Sequence, residues 1–216
     1  MRRLTVLLVA ALLVTAADSA LAQKLTWGVR GGLNLATSNV QGEAFDQDVG
    51  TRNGFHAGIL GEVEISKNFG IQTNVLYTQK GFGAGSGDIA LSADYIMIPI
   101  IFVLKLPGTI SPHLYAGAEL SLESSCKASA GSLSNVSCDD VRAETSDFPR
   151  TKGADSGLLL GIGVDWDIGF GILIIDAMYD YGLTNIAEVS ESIDHIKTRT
   201  IMLSLGMKWG IGESGD

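Results

Sequence analysis

The sequence predicts an all-β chain whose eight antiparallel strands close, up and down, into a barrel that crosses a membrane. Three observations predict it. Apolar and polar residues alternate one for one through eight segments, and the connections between the segments alternate long and short. After the N-terminus, no stretch approaches the ~20 uninterrupted apolar residues of a spanning helix. If the chain crosses a membrane, strands must do it.

The N-terminus "MRRLTVLLVAALLVTAADSALAQ" reads as a secretory signal. Arg2 and Arg3 form its basic start, residues 4–17 an almost unbroken apolar run, and Ala20-Leu21-Ala22 a small-x-small cleavage site before Gln23. An uncleaved anchor is the alternative, disfavoured by the short run and the cleavage site behind it. Residues 1–22 are therefore set aside as a signal peptide, and 23–216 are expected to form one domain. A formal net charge of −9 argues against a nucleic-acid partner, whose usual footprint is a basic patch.

The strands are expected at about 24–36, 53–66, 69–81, 92–106, 113–125, 156–168, 171–182 and 198–211. Each is long enough to cross a bilayer at a tilt, which takes about 9–11 residues. Three connections are tight: Lys67-Asn68, "PGTISP" at 107–112, and "GFG" at 169–171. Four are long: 37–52, 82–91, 126–155 and 183–197. Outer-membrane barrels show this asymmetry, with short turns on the periplasmic rim and long loops outside. Both termini then fall on the short-turn rim.

Parity sorts the side chains. In the first strand Leu25, Trp27, Val29, Leu33 and Leu35 share a face opposite Arg30 and Asn34. In the second, Phe55, Ala57, Ile59, Val63 and Ile65 oppose His56, Glu62 and Glu64; in the third, Phe69, Ile71, Val75 and Tyr77 oppose Gln72, Asn74, Thr78 and Lys80. The fifth sets Leu114, Ala116, Ala118, Leu120 and Leu122 against Tyr115, Glu119, Ser121 and Glu123. In "GVDWDIGFGILIID" (163–176), Asp165 and Asp167 lie on one parity and Val164, Trp166 and Ile168 on the other. The seventh strand sets Leu173, Ile175, Ala177 and Tyr179 against Asp176 and Asp180; the last sets Ile201, Leu203, Leu205, Met207 and Trp209 against Thr200, Ser204 and Lys208.

Alternation alone also fits a secreted lipocalin-like binder with its apolar side inward. Three features turn the polar face inward instead. That face carries Gly28, Gly32, Gly58, Gly117, Gly157, Gly161, Gly163 and Gly206, small residues suited to a crowded interior. Trp27, Phe55, Phe69, Trp166 and Trp209 share the apolar parity near strand ends, where membrane barrels carry aromatic girdles. The loops are lopsided. A Lys or Arg facing lipid at the midplane costs about 2–4 kcal/mol, and none of the residues named above on the apolar faces is charged.

Taken together, "WGVRGGLNLA" (27–36), "GFHAGILGEVEIS" (54–66), "LYTQKG" (76–81), "YIMIPIIFVLK" (95–105), "LYAGAELSL" (114–122) and "MYDYGLTNI" (178–186) resemble the outer-membrane β-barrel domain family that includes PorT-like proteins. The resemblance implies an eight-stranded barrel of the Gram-negative outer membrane and no single shared activity. "SLGMKWGI" (204–211) resembles the signal read by the barrel-assembly machinery, with Ser204, Gly206, Trp209 and Ile211 at its characteristic positions. Five further residues follow it, where many such proteins end on an aromatic. Family members often carry an inward glutamate where Met97 stands and an inward arginine where Met178 stands. The two methionines imply a repacked interior.

The interior acids Glu62, Glu64, Glu119, Glu123, Asp165, Asp167, Asp176 and Asp180 face the bases Arg30, Lys80, Lys105 and Lys208. A lumen plugged by ion pairs is the expected arrangement; a narrow cation pathway is the rival, since rings of carboxylates favour cations. Cys126 and Cys138 share one polar segment of an exported chain and are expected to form a disulfide, stabilising that loop by about 2–3 kcal/mol. No histidine lies near them to complete a metal shell. Glu43, Asp46 and Asp48 in the first loop lack the full ligand pattern of a calcium loop. His56, His113 and His195 stand on separate elements, and no G-x-S-x-G appears, so no catalytic residue, metal or cofactor is expected. The expected role is structural or surface interaction. The partners are outer-membrane lipid, the barrel-assembly machinery during biogenesis, and an unidentified extracellular ligand at loop 126–155.

Overall fold

The computed structural model describes residues 24–41, 51–84, 89–130, 133–138, 140, 153–184 and 195–211. The expected signal peptide, the acidic stretch Glu43–Asp48 of the first loop, and much of 126–155 lie outside these residues. The described chain is nearly all strand: β1 (Lys24–Gln41), β2 (Arg52–Ser66), β3 (Phe69–Ala84), β4 (Ile89–Lys105), β5 (Ile110–Ala130), β6 (Leu133–Ser137), β7 (Ala154–Asp167), β8 (Ile172–Gly182) and β9 (His195–Ile211).

Eight of these strands close a ring. Each pairs antiparallel with its chain neighbour, β5 passing over the short β6 to pair with β7. The β1–β9 pairing, from Leu25↔Ile211 to Gln41↔His195, joins first to last. A barrel closed in this way has no strand edge in hydrocarbon, where each unpaired backbone group costs several kcal/mol. The ninth strand, β6, is an outlier beyond the rim, folded back on the far end of β5 through Lys127↔Ser137.

Tight turns join β2 to β3, β4 to β5 and β7 to β8, and both ends of the ring lie on that rim. Within the last turn, Gly169 takes φ +90°, a backbone angle that favours glycine. At the opposite rim the strands run further than the polarity pattern suggests. Of residues 82–91, expected as a loop, 82–84 and 89–91 continue the ladder of β3 and β4 as far as Ala84↔Ile89, and β5 runs to Ala130 instead of ending near 125. The reason is physical. Alternation marks a strand only while its two faces meet different surroundings, whereas ladder hydrogen bonds continue wherever two backbones stay side by side.

The expected sides hold through the membrane span. Leu33, Ile162 and Leu205 are 60–64% exposed on the outside, while Asn34, Glu62 and Thr200 are wholly enclosed. Trp27, Phe55 and Trp166 point outward with them, near the strand ends. Trp27 packs on Trp209 at 5.1 Å, and Phe69 stacks on Phe102 at 6.1 Å, both near the short-turn rim; Phe55 meets Tyr77 at 5.6 Å toward the other.

Leu203 sits midway along this outer wall. Leu203→Lys is expected to lower folding stability in lipid vesicles by about 2–4 kcal/mol, measured by urea titration; a change below about 1 kcal/mol would contradict a lipid-facing wall.

Candidate functional site

The lumen is the site, and it is built in three layers. On strand after strand, inward residues run from charged or polar, through apolar, to charged or polar: Asp165, Leu159, Asp155 on β7; Asp176, Met178, Asp180 on β8; Asn74, Leu76, Lys80 on β3; Lys208, Met202, Thr200 on β9.

The layer nearest the short-turn rim is a charge network. Lys208 Nζ donates to Glu62 Oε2 at 2.9 Å and also to Asp165. Lys105 pairs with Glu62 and lies 3.4 Å from Asp165 and 3.6 Å from Glu64. Arg30 pairs with Asp176, whose second oxygen lies 2.8 Å from His113 Nε2. Three cations therefore meet four carboxylates, with His113 placed between Asp165 and Asp176. Glycine makes room for this packing. A Cβ at Gly163 would stand 2.0 Å from Asp176 Oδ1 and 2.5 Å from His113 Nε2, and one at Gly161 would stand 2.4 Å from the Tyr115 ring.

Beside this network, His56 lies 2.7 Å from Asn34 Oδ1 and 2.8 Å from Ser204 Oγ. Asn34 Nδ2 donates to Thr78 Oγ1 at 2.8 Å, so its oxygen is the acceptor facing the ring. The His56 Nδ1–H then donates to Asn34, and Nε2 accepts from the Ser204 hydroxyl. A neutral histidine satisfies every group.

The middle layer is apolar. Leu76, Met97, Leu159, Met178 and Met202 are at most 1% exposed and form one cluster with Ile101, Val103 and Tyr115. The two methionines singled out in the sequence, Met97 and Met178, thus lie in the same cluster. Above it, Lys80 Nζ lies 2.6 Å from Asp180 Oδ2 and 3.3 Å from Glu119 Oε1, with the Tyr95 ring 5.6 Å away. Thr198 donates to Asp155 Oδ2 at 3.0 Å in the same layer.

One expected lumen residue sits elsewhere, and another only at the mouth. Asp167 is exposed at the rim, where its Oδ1 accepts the Gly169 N–H at 2.9 Å and holds the β7–β8 turn; parity stops separating inside from outside where the strand ends. Glu123 keeps its inward parity opposite Tyr95 but is only half-buried, because β5 carries it toward the wide mouth. His113 and Asp155 join the lumen although neither figured among its expected members. The alternation placing Tyr115 and Glu119 inward also places His113 inward, and Asp155 became legible only once β7 began at Ala154.

Cys126 and Cys138 form a disulfide with Cα atoms 5.4 Å apart, tying β6 to the outer end of β5. Among the described residues, no group of three or more His, Cys, Asp or Glu is arranged to hold a metal ion. Of the expected assembly positions, Ser204 faces the lumen, Gly206 lies beside Arg30, Trp209 packs on Trp27, and Ile211 is exposed at the strand end.

A closed ring with a lipid-compatible wall and an ion-paired interior defines an integral membrane β-barrel. The chain belongs to the outer membrane protein beta-barrel domain family, which it matches over residues 20–188. It is a protein of the Gram-negative outer membrane. No curated protein matches it. Among solved structures, it is similar to the attachment invasion locus protein Ail of Yersinia pestis in complex with the heparin analogue sucrose octasulfate (17% identity, covering 86% of this chain and 99% of that one, TM-score 0.43). It is also similar to Neisserial surface protein A (21%, 86% and 97%, TM-score 0.45). A third is a major outer membrane protein from Thermus thermophilus (13%, 88% and 100%, TM-score 0.49).

Lys80 is the cation held between Glu119 and Asp180. Removing it by Lys80→Met strands two buried carboxylates and is expected to cost about 3–5 kcal/mol in urea unfolding. The triple change Lys80→Met, Glu119→Gln, Asp180→Asn is expected to recover most of that loss.

Proposed function

We propose that this barrel is a sealed, non-catalytic scaffold that holds loops at the cell surface and passes no solute through its centre. The observation that carries this reading is the apolar middle layer. Leu76, Met97, Leu159, Met178 and Met202 occupy the lumen between the two polar layers, with no more than 1% exposure. An ion crossing there would leave water with no charged partner, and desolvating a small ion in a low-dielectric medium costs on the order of 20 kcal/mol in the idealised limit. Apolar constrictions close pores by the same physics.

The carboxylates that would have to line a cation pathway instead share the lumen with Arg30, Lys80, Lys105 and Lys208 in fixed pairs. Contact with the outside then falls to the wide rim, where the disulfide between Cys126 and Cys138 anchors a hairpin on β5. That rim is where an extracellular ligand would meet the protein. Export on a signal at 1–22 and insertion by the barrel-assembly machinery through Ser204, Gly206, Trp209 and Ile211 complete the proposal.

Purified protein in planar bilayers is expected to give no conductance steps; discrete openings in the wild type would overturn the sealed-lumen reading. Reduction of the disulfide, or Cys126→Ser, is expected to leave the heat-dependent gel shift of the barrel intact and to raise protease cleavage only between β5 and β7. Loss of the shift would show that the hairpin supports the whole fold.

A further inference from the structure

The outer wall of the barrel is grooved. One groove of about 790 Å³ begins near Phe69 and Phe102 and reaches Tyr179 and Ile201, with the small Ala116 and Ala177 leaving room between them. Tyr179 and Ile201 are cross-strand partners, and the next outward pair along β8 and β9 is Tyr181 and Arg199.

Arg199 is held there in a defined pose. Its guanidinium carbon lies 3.6 Å from the centroid of the Tyr181 ring, and its Nη1 donates to the carbonyls of Gly182 at 3.0 Å and Thr198 at 2.8 Å. One face and one edge of the fork are thus occupied, and among the described residues the Nε–Nη2 edge is left for a group outside the barrel. The outward rows lose their apolar character at this end. Leu35 gives way to Thr37, the β1 partner of Arg199; Phe55 gives way to Asn53, and Tyr77 to Gln79.

A charge that cannot rest in hydrocarbon therefore stands where hydrocarbon ends, with an amphipathic tyrosine beneath it and an apolar channel leading away. A planar guanidinium matches phosphate oxygens two at a time. We propose that Arg199 and this groove hold one phosphate-bearing lipid of the outer leaflet, its headgroup on the guanidinium and an acyl chain in the groove that leads from Tyr179 and Ile201 past Ala177 and Ala116. Free phosphate would use the cation and ignore the groove. The lipid needs both.

Delipidated protein in neutral detergent, titrated with dimyristoyl phosphatidylglycerol and read by native mass spectrometry, is expected to retain one lipid beyond what it binds of uncharged dimyristoylglycerol. Arg199→Gln is expected to weaken that binding at least about fivefold, and Ala177→Trp, which fills the groove and keeps the cation, to do the same. The heat-dependent gel shift of each variant separates lost binding from lost folding, and both side chains lie on the outer wall, away from the lumen pairs. Unchanged lipid retention in either folded variant overturns the site, as does equal retention of dimyristoylglycerol or displacement by millimolar inorganic phosphate. Conductance plays no part in the readout, so the sealed-lumen reading stands or falls separately.

Discussion

A peptide group in hydrocarbon has no water to bond, so every N–H and C=O between the two rims must find its partner in the protein. The registers that close the ring, β1 on β9 and β4 on β5, meet that demand. Closure also fixes the rest. Once the ring holds eight strands, its interior has only enough room for side chains to fill, and alternation sends half of each strand into that space. The small inward residues, including Gly161 under Tyr115 and Gly163 under the His113–Asp176 pair, are the consequence of fitting rings and carboxylates into so narrow a core.

Charges enclosed in that space have to be matched to one another. The pairs Lys80–Asp180, Arg30–Asp176 and Lys208–Glu62 each join strands distant in sequence, so the interior acts as cross-bracing between walls. The apolar cluster around Leu76 and Met202 separates the two charge networks. In the proposed reading, three layers of differing polarity leave the lumen without a continuous wet path, and function is displaced to the surfaces that remain: the wide rim and the outer wall.

That outer wall is more than an apolar band. Its grooves arise where Ala116 and Ala177 stand among leucines and isoleucines, and its upper margin carries Arg199 locked over Tyr181. Such features face the lipid directly.

Strand number, the wet and greasy faces, and the rim bearing the short turns were all legible in the sequence, because each depends on local alternation and on the length of a connection. The inward parity of Arg30, Glu62, Lys80 and Asp176 could be read in the same way. Their partners could not, since Lys80 meets Asp180 only through the shear and closure of the ring, which no single strand encodes. Asp167 was misread for the same reason: parity has meaning only between the rims, and where the strand stops depends on its neighbours. Arg199 went unnoticed because an isolated arginine near a strand end looks like any solvated residue until Tyr181 and the groove are set beside it. Local periodicity determines which side of the wall a residue occupies; only tertiary closure decides what it touches there.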